Sequence, residues 1–148
     1  MSTVHEGWIN LELSPEQAKE LADAQSAYRS NVIEETNSSR LTNALSTLSF
    51  AISVISMVNN VPPVASLAVS LIGAWADLAT SEKETYAHMI QSGYNSISDI
   101  ERQMGYGPGK WQSIICTVPV LKFVDYNVQV LAGTVTVDRV YVDGAWVS

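Results

Sequence analysis

The residues able to do chemistry are few and scattered. His5 and His88 are the two histidines, and Cys116 is the single cysteine. A metal site needs His, Cys or carboxylates at short, repeated spacings on one element. Neither histidine lies in an HExxH pattern, and one cysteine cannot form a CxxC pair or an intramolecular disulfide. Cys116 sits in the apolar run Ile114-Ile115-Cys116-Thr117-Val118 and reads as a small buried hydrophobe. Gly105-Tyr106-Gly107-Pro108-Gly109-Lys110 is rich in glycine but fails the phosphate-loop pattern. Met104 stands at the place of the first glycine, and Trp111 replaces the Ser or Thr after the lysine. It reads as a turn. Glu82 and Glu84 read as a solvated helix start, and Asp99, Glu101 and Arg102 as an exposed helix face. No serine occupies a G-x-S-x-G elbow. The expectation is a protein that is not an enzyme and holds no cofactor or metal.

What the sequence does emphasise is a segment without charge. From Leu41 to Ala76 there is no Asp, Glu, Lys, Arg or His, and Pro62-Pro63 divides the segment in two. The chain has 148 residues and a net charge of −7, with 16% charged residues against a usual value of roughly 25%. That acidic balance argues against nucleic acid as a partner. Residues Met1 to Glu6 lack the basic start and apolar run of a secretory leader. The length suits one domain over 1–148, helical from about 14 to 105 and β-rich from about 110 to 148.

Alternation over Trp8–Leu13 predicts a short strand with Ile9, Leu11 and Leu13 on one face. Ser14, Pro15 and Gln17 form a capping box that starts a helix from Pro15 to about Glu35, with Lys19, Glu20, Asp23 and Arg29 free to face water. Asn37-Ser38-Ser39 offers a break and a new cap, or an irregularity within a longer helix. A second helix is expected from about Arg40 to Val58. Its Leu41, Leu45, Leu48, Ile52 and Ile55 are spaced 4-3-4-3, a heptad seam. Thr42, Ser46, Ser49, Ser53 and Ser56 repeat that rhythm one residue on. After the prolines, a third helix carries Leu67, Leu71 and Trp75 with Ser70 in a small polar stripe. A fourth helical stretch starts near Ser81 or continues from the third, and reaches Gly105.

The composition then turns to β, rich in Val, Ile, Phe and Tyr. Asp143-Gly144 predicts a type I′ turn between Val140–Val142 and Ala145–Val147. The expected fold class is α+β: an N-terminal strand, an uncharged helical hairpin, a long helix and a C-terminal antiparallel β-meander.

Three uses of the uncharged hairpin compete. It packs inside its own domain, between subunits of a homo-oligomer, or in a membrane. Each arm has about 16–18 uncharged residues, short of the roughly 20 of a spanning helix. The leading expectation is packing between subunits. The candidate interface residues are Leu41, Leu45, Leu48, Ser49, Ile52, Ser53, Ile55 and Ser56 on one arm. On the other they are Leu67, Ser70, Leu71 and Trp75. Trp111, Trp146, Tyr106, Tyr126 and Tyr141 form a C-terminal aromatic set that reads first as core or cross-strand pairs; the alternative is a binding face for a protein or glycan partner, with Trp111, Tyr141 and Trp146 as its candidates.

The terminal segment Val140-Tyr141-Val142-Asp143-Gly144-Ala145-Trp146-Val147 resembles the closing hairpin of phage and prophage tail-fibre or fibre-tip proteins. That resemblance implies a structural subunit of a virion or extracellular assembly. The uncharged hairpin resembles, more loosely, those of pore-forming toxins, which implies a membrane-active protein as the alternative.

Overall fold

A computed structural model describes residues 3–148. Met1 and Ser2, where the segment compared with a secretory leader begins, lie outside the described residues. The fold is α+β, with five α-helices and a five-stranded antiparallel sheet.

Strand β1 runs from Val4 to Leu13 and pairs along its whole length with β2, Ser113–Phe123. On its other side β2 carries two partners placed end to end. Strand β4, Thr136–Val142, pairs its first half, and β3, Val128–Leu131, pairs its second. Strand β5, Ala145–Val147, closes the sheet against β4. Asp143 and Gly144 both have positive φ, 49° and 87°, as a type I′ turn requires. The buried side of the β1–β2 ribbon changes along its length. Ile9, Leu11 and Leu13 turn inward with Val118, Cys116 and Ile114, but beyond Gly7 and Val120 the buried side passes to the alternate residues Leu121 and Phe123. The register is unbroken there, and Gly7 offers no side chain to obstruct the twist.

Helix α1, Pro15–Tyr28, starts at the Ser14 capping box. The expected α-helix to Glu35 is corrected. Arg29–Glu34 forms wider, π-helical turns. The Asn31 side-chain amide donates to the Ala27 carbonyl at 3.0 Å, the acceptor that the Asn31 backbone N–H would use in an α-helix. Asn37 then recaps the chain through Arg40 N–H.

The expected single helix Arg40–Val58 is also corrected. It is two helices, α2 from Ser38 to Leu45 and α3 from Ser49 to Ile55, separated at Ser46–Leu48. Hydroxyl-rich Ser46-Thr47 is a weak helix former, and Glu20 of α1 fixes the break. Its carboxylate accepts the N–H groups of Phe50 at 3.0 Å and Ala51 at 3.4 Å, so it is not simply solvent-facing. The break lets α2 lie on the helix that follows Pro62-Pro63 while α3 lies on α1 and β3. After α3, Ser56 bridges to Val128. Helix α4 is Val64–Ala76, and α5 is Thr80–Gln103. Glu82 accepts the Ala79 N–H at 2.9 Å and so starts α5 afresh. Gly93 lets α5 approach β3, since an added Cβ would stand 3.0 Å from the Leu131 backbone. Gln25 of α1 donates to the carbonyls of both Ile90 and Leu131, tying α1, α5 and β3 together.

Candidate functional site

The helical hairpin shows two unlike faces. The heptad residues Leu41, Leu45, Leu48, Ile52 and Ile55 are buried within the subunit's own core, as are Leu67, Leu71 and Trp75. Trp75 meets Tyr28 edge-on, with ring centroids 6.3 Å apart. Their placement in a seam between subunits is therefore corrected. Helix α1, the turns Arg29–Glu34, strand β3 and the packing of α2 on α4 supply the cover that periodicity alone could not locate. Ser56 is buried with them, and Ser70 is half-buried.

The other face is open. Ser46, Ser49 and Ser53 are exposed and Thr42 is half-exposed. Across from them on α4, Ala65 and Ser66 are exposed and Val69 is 63% exposed. Between α2 and α4 runs a groove of about 340 Å³ lined by Ser38, Ser39, Thr42, Asn43, Ala65 and Val69. No lining residue carries a charge.

Three hydroxyls of this face are already engaged. Thr42 donates to the Ser38 carbonyl at 2.8 Å, Ser46 to Asn43 at 2.8 Å and Ser53 to Phe50 at 2.6 Å. A donor satisfied within its own helix loses little when water is removed, whereas an unpaired one costs roughly 1–3 kcal/mol. At Thr42, Ser46 and Ser53 the face is polar in composition and inexpensive to desolvate.

The C-terminal aromatics do not converge. Tyr141 and Trp146 form an edge-on pair with centroids 5.4 Å apart, and the Arg139 guanidinium lies 5.6 Å from the Trp146 centroid. Trp111 lines a separate groove with Val137, Val140 and Val147. Tyr126 packs where Gly73 leaves room on α4 and donates to Asp77, while Tyr106 donates to Glu16 at 2.6 Å. Each hydrogen bond to a carboxylate raises its phenol's pKa.

The chemically capable residues also stay apart. Among the described residues no three His, Cys, Asp or Glu side chains gather to hold a metal. Cys116 is fully buried, and that burial pushes its thiol up to about 11. The Gly105–Lys110 loop is a closed turn. Its Gly105 N–H bonds Trp111, its Lys110 N–H bonds Gly107, and Lys110 Nζ caps α5 at the Arg102 carbonyl. Among the described residues no helix is long and apolar enough to cross a membrane.

Sequence reasoning missed three features. Glu20 caps a helix far along the chain. Arg29 stacks over Tyr94, 5.2 Å from its centroid. Trp8, recognised only as outward-facing, is 70% exposed in the middle of β1. Comparisons with protein-family models, with curated proteins and with solved structures return no match.

Proposed function

We propose that the chain is a non-enzymatic, self-associating structural subunit, and that the uncharged face of α2, α3 and α4 packs against a second copy. One observation carries the reading. The exposed hydroxyls of Thr42, Ser46 and Ser53 are spent on backbone carbonyls, on a face with no charged side chain from Leu41 to Ala76. A free surface kept soluble by charge has no need of such an arrangement. A helix-to-helix contact does, because small residues admit close approach and satisfied hydroxyls desolvate without leaving orphans. In this reading Ser49, Ser53 and Val69 contact the neighbour, and the heptad leucines and isoleucines behind them keep the face rigid.

The resemblance of the closing hairpin Val140–Val147 extends the proposal to a virion or extracellular assembly. Mass measurement by light scattering, with the chain at micromolar concentration, tests the association. The account expects a mass above the 16.1 kDa monomer, kept when Trp8 is replaced by Lys. A monodisperse 16.1 kDa species, or flotation with vesicles in place of self-association, overturns it.

A further inference from the structure

Strand β1 is the edge of the sheet, and its free side is uncovered. Sheet edges are ordinarily blunted by proline, charged side chains, a bulge or a covering segment, and of these β1 has only the charges of Glu6 and Glu12. Val4–Leu13 contains neither Pro nor Lys, and its pairing with β2 is continuous from Val4 to Leu13. Among the described residues, no backbone N–H or C=O from another element bonds to the outer side of β1. The apolar cover is also incomplete here. Ile9 and Leu11 are only half-buried, while Val118 and Cys116, directly across from them, are fully buried. Trp8 adds a large apolar side chain left 70% exposed.

We infer that β1 pairs antiparallel, about a two-fold axis at Trp8, with β1 of a second copy of this chain, joining two five-stranded sheets into one. Residues on the same face of two antiparallel strands pair directly, so a two-fold axis must pass through a residue pair and not between residues. Axes at Trp8 and Ile9 keep the most residues of Val4–Leu13 paired, and charge decides between these two. An axis at Ile9 sets Glu6 opposite the partner's Glu12, a like-charge pair that disfavours the contact. An axis at Trp8 sets Glu6 opposite Asn10, Glu12 opposite Val4 and His5 opposite Leu11. It also brings the two exposed Trp8 rings together as an aromatic pair. The other edge, β5, spans only Ala145–Val147 and offers a much shorter template. This inference does not rest on the helical face, with which β1 shares no residue.

Oxidative cross-linking of single-cysteine chains tests both the pairing and the register. In a Cys116→Ala background, Trp8→Cys places two thiols across the axis. Directly opposed strand residues have Cα atoms about 4.5–5.5 Å apart, within the roughly 4.4–6.8 Å that a disulfide spans. Glu12→Cys puts its two thiols on the order of 27 Å apart in the same register, eight residues at about 3.4 Å each. The expected result is a disulfide-linked dimer as the main product of Trp8→Cys and none from Glu12→Cys. Both positions are exposed, and circular dichroism confirms that each variant is folded before oxidation. Absence of dimer from folded Trp8→Cys, or equal dimer from both variants, overturns the inference. The same Trp8→Cys chain carrying Ser53→Glu separates the two surfaces. Its cross-link should survive even where the helical contact is lost, and loss of the cross-link there would contradict an edge contact independent of that face.

Discussion

The carboxylate of Glu20 on α1 accepts the backbone N–H of Phe50 at 3.0 Å, at the first turn of α3. One charged residue of α1 thus starts the uncharged helix α3 and sets its direction. Leu48 before it provides no side-chain acceptor, so without Glu20 the first N–H groups of α3 have no protein partner.

Replacing Glu20 by Ala should destabilise the fold by about 1–2 kcal/mol, the usual worth of a helix cap with partly buried donors. For a chain of this size that is a fall in Tm of roughly 2–8 °C. Glu20→Gln keeps an acceptor oxygen and should recover at least half the loss. Urea denaturation of the three chains measures this, and an unchanged midpoint for Glu20→Ala would show that the break at Ser46–Leu48 has another cause.

Tyr28 gives the opposite expectation. Its hydroxyl is fully buried without a hydrogen-bond partner, beside Trp75. Removing an unsatisfied buried polar group relieves desolvation while the ring packing remains. Tyr28→Phe should therefore be neutral or more stable by up to about 1 kcal/mol, measured by the same denaturation series. A marked loss of stability would mean that the hydroxyl has a partner in solution.

Alkaline pH should weaken the fold through Cys116. Burial raises the folded thiol from 9.0 to about 11. Below pH 9 the thiol is protonated in both states and the native state keeps its full advantage. Between pH 9 and 11 the unfolded chain releases its proton first, so stability falls as pH rises. The loss is on the order of 2–3 kcal/mol. Tyr28, whose phenol burial also raises, extends the decline above pH 10. Cys116→Ala should flatten the curve between pH 9 and 11. Thiol reagents at pH 8 should label the wild-type chain only as fast as it opens.

Local signals were legible in the sequence. Ser14 and Gln17 announce the start of α1, and Asp143-Gly144 announces the β4–β5 turn, because each is complete within a few residues. The alternation of Ile9, Leu11 and Leu13 likewise marks β1. The split between α2 and α3 was not legible, since its cause is Glu20, distant along the chain. The π-helical turns at Arg29–Glu34 depend on one side chain, Asn31, competing with its own backbone. The heptad spacing of Leu41, Leu45, Leu48, Ile52 and Ile55 correctly marked a buried stripe. Periodicity says that a stripe is covered but not by what, and here α1, α4, the turns Arg29–Glu34 and β3 cover it. Of the residues one position on, Ser46, Ser49 and Ser53 lie beside that stripe and stay outside while Ser56 is buried, which is why the candidate surface is the neighbour of the seam and not the seam itself.

The most direct test of the central claim is the mass of Ser53→Glu against its parent, both carrying Trp8→Lys so that only the helical face remains. Ser53 is exposed in the single subunit, so the added carboxylate should change the subunit's own stability by no more than about ±0.5 kcal/mol. In a dry contact the same carboxylate would be buried without a partner, at a cost of several kcal/mol. Glu84→Ser, at an exposed position on α5, serves as the control. By sedimentation at micromolar concentration, the parent and the Glu84→Ser chain should be larger than 16.1 kDa, and Ser53→Glu should fall to 16.1 kDa while keeping the circular dichroism spectrum of the folded chain. Identical masses for the parent and Ser53→Glu would show the uncharged face to be an ordinary wet surface and contradict the account.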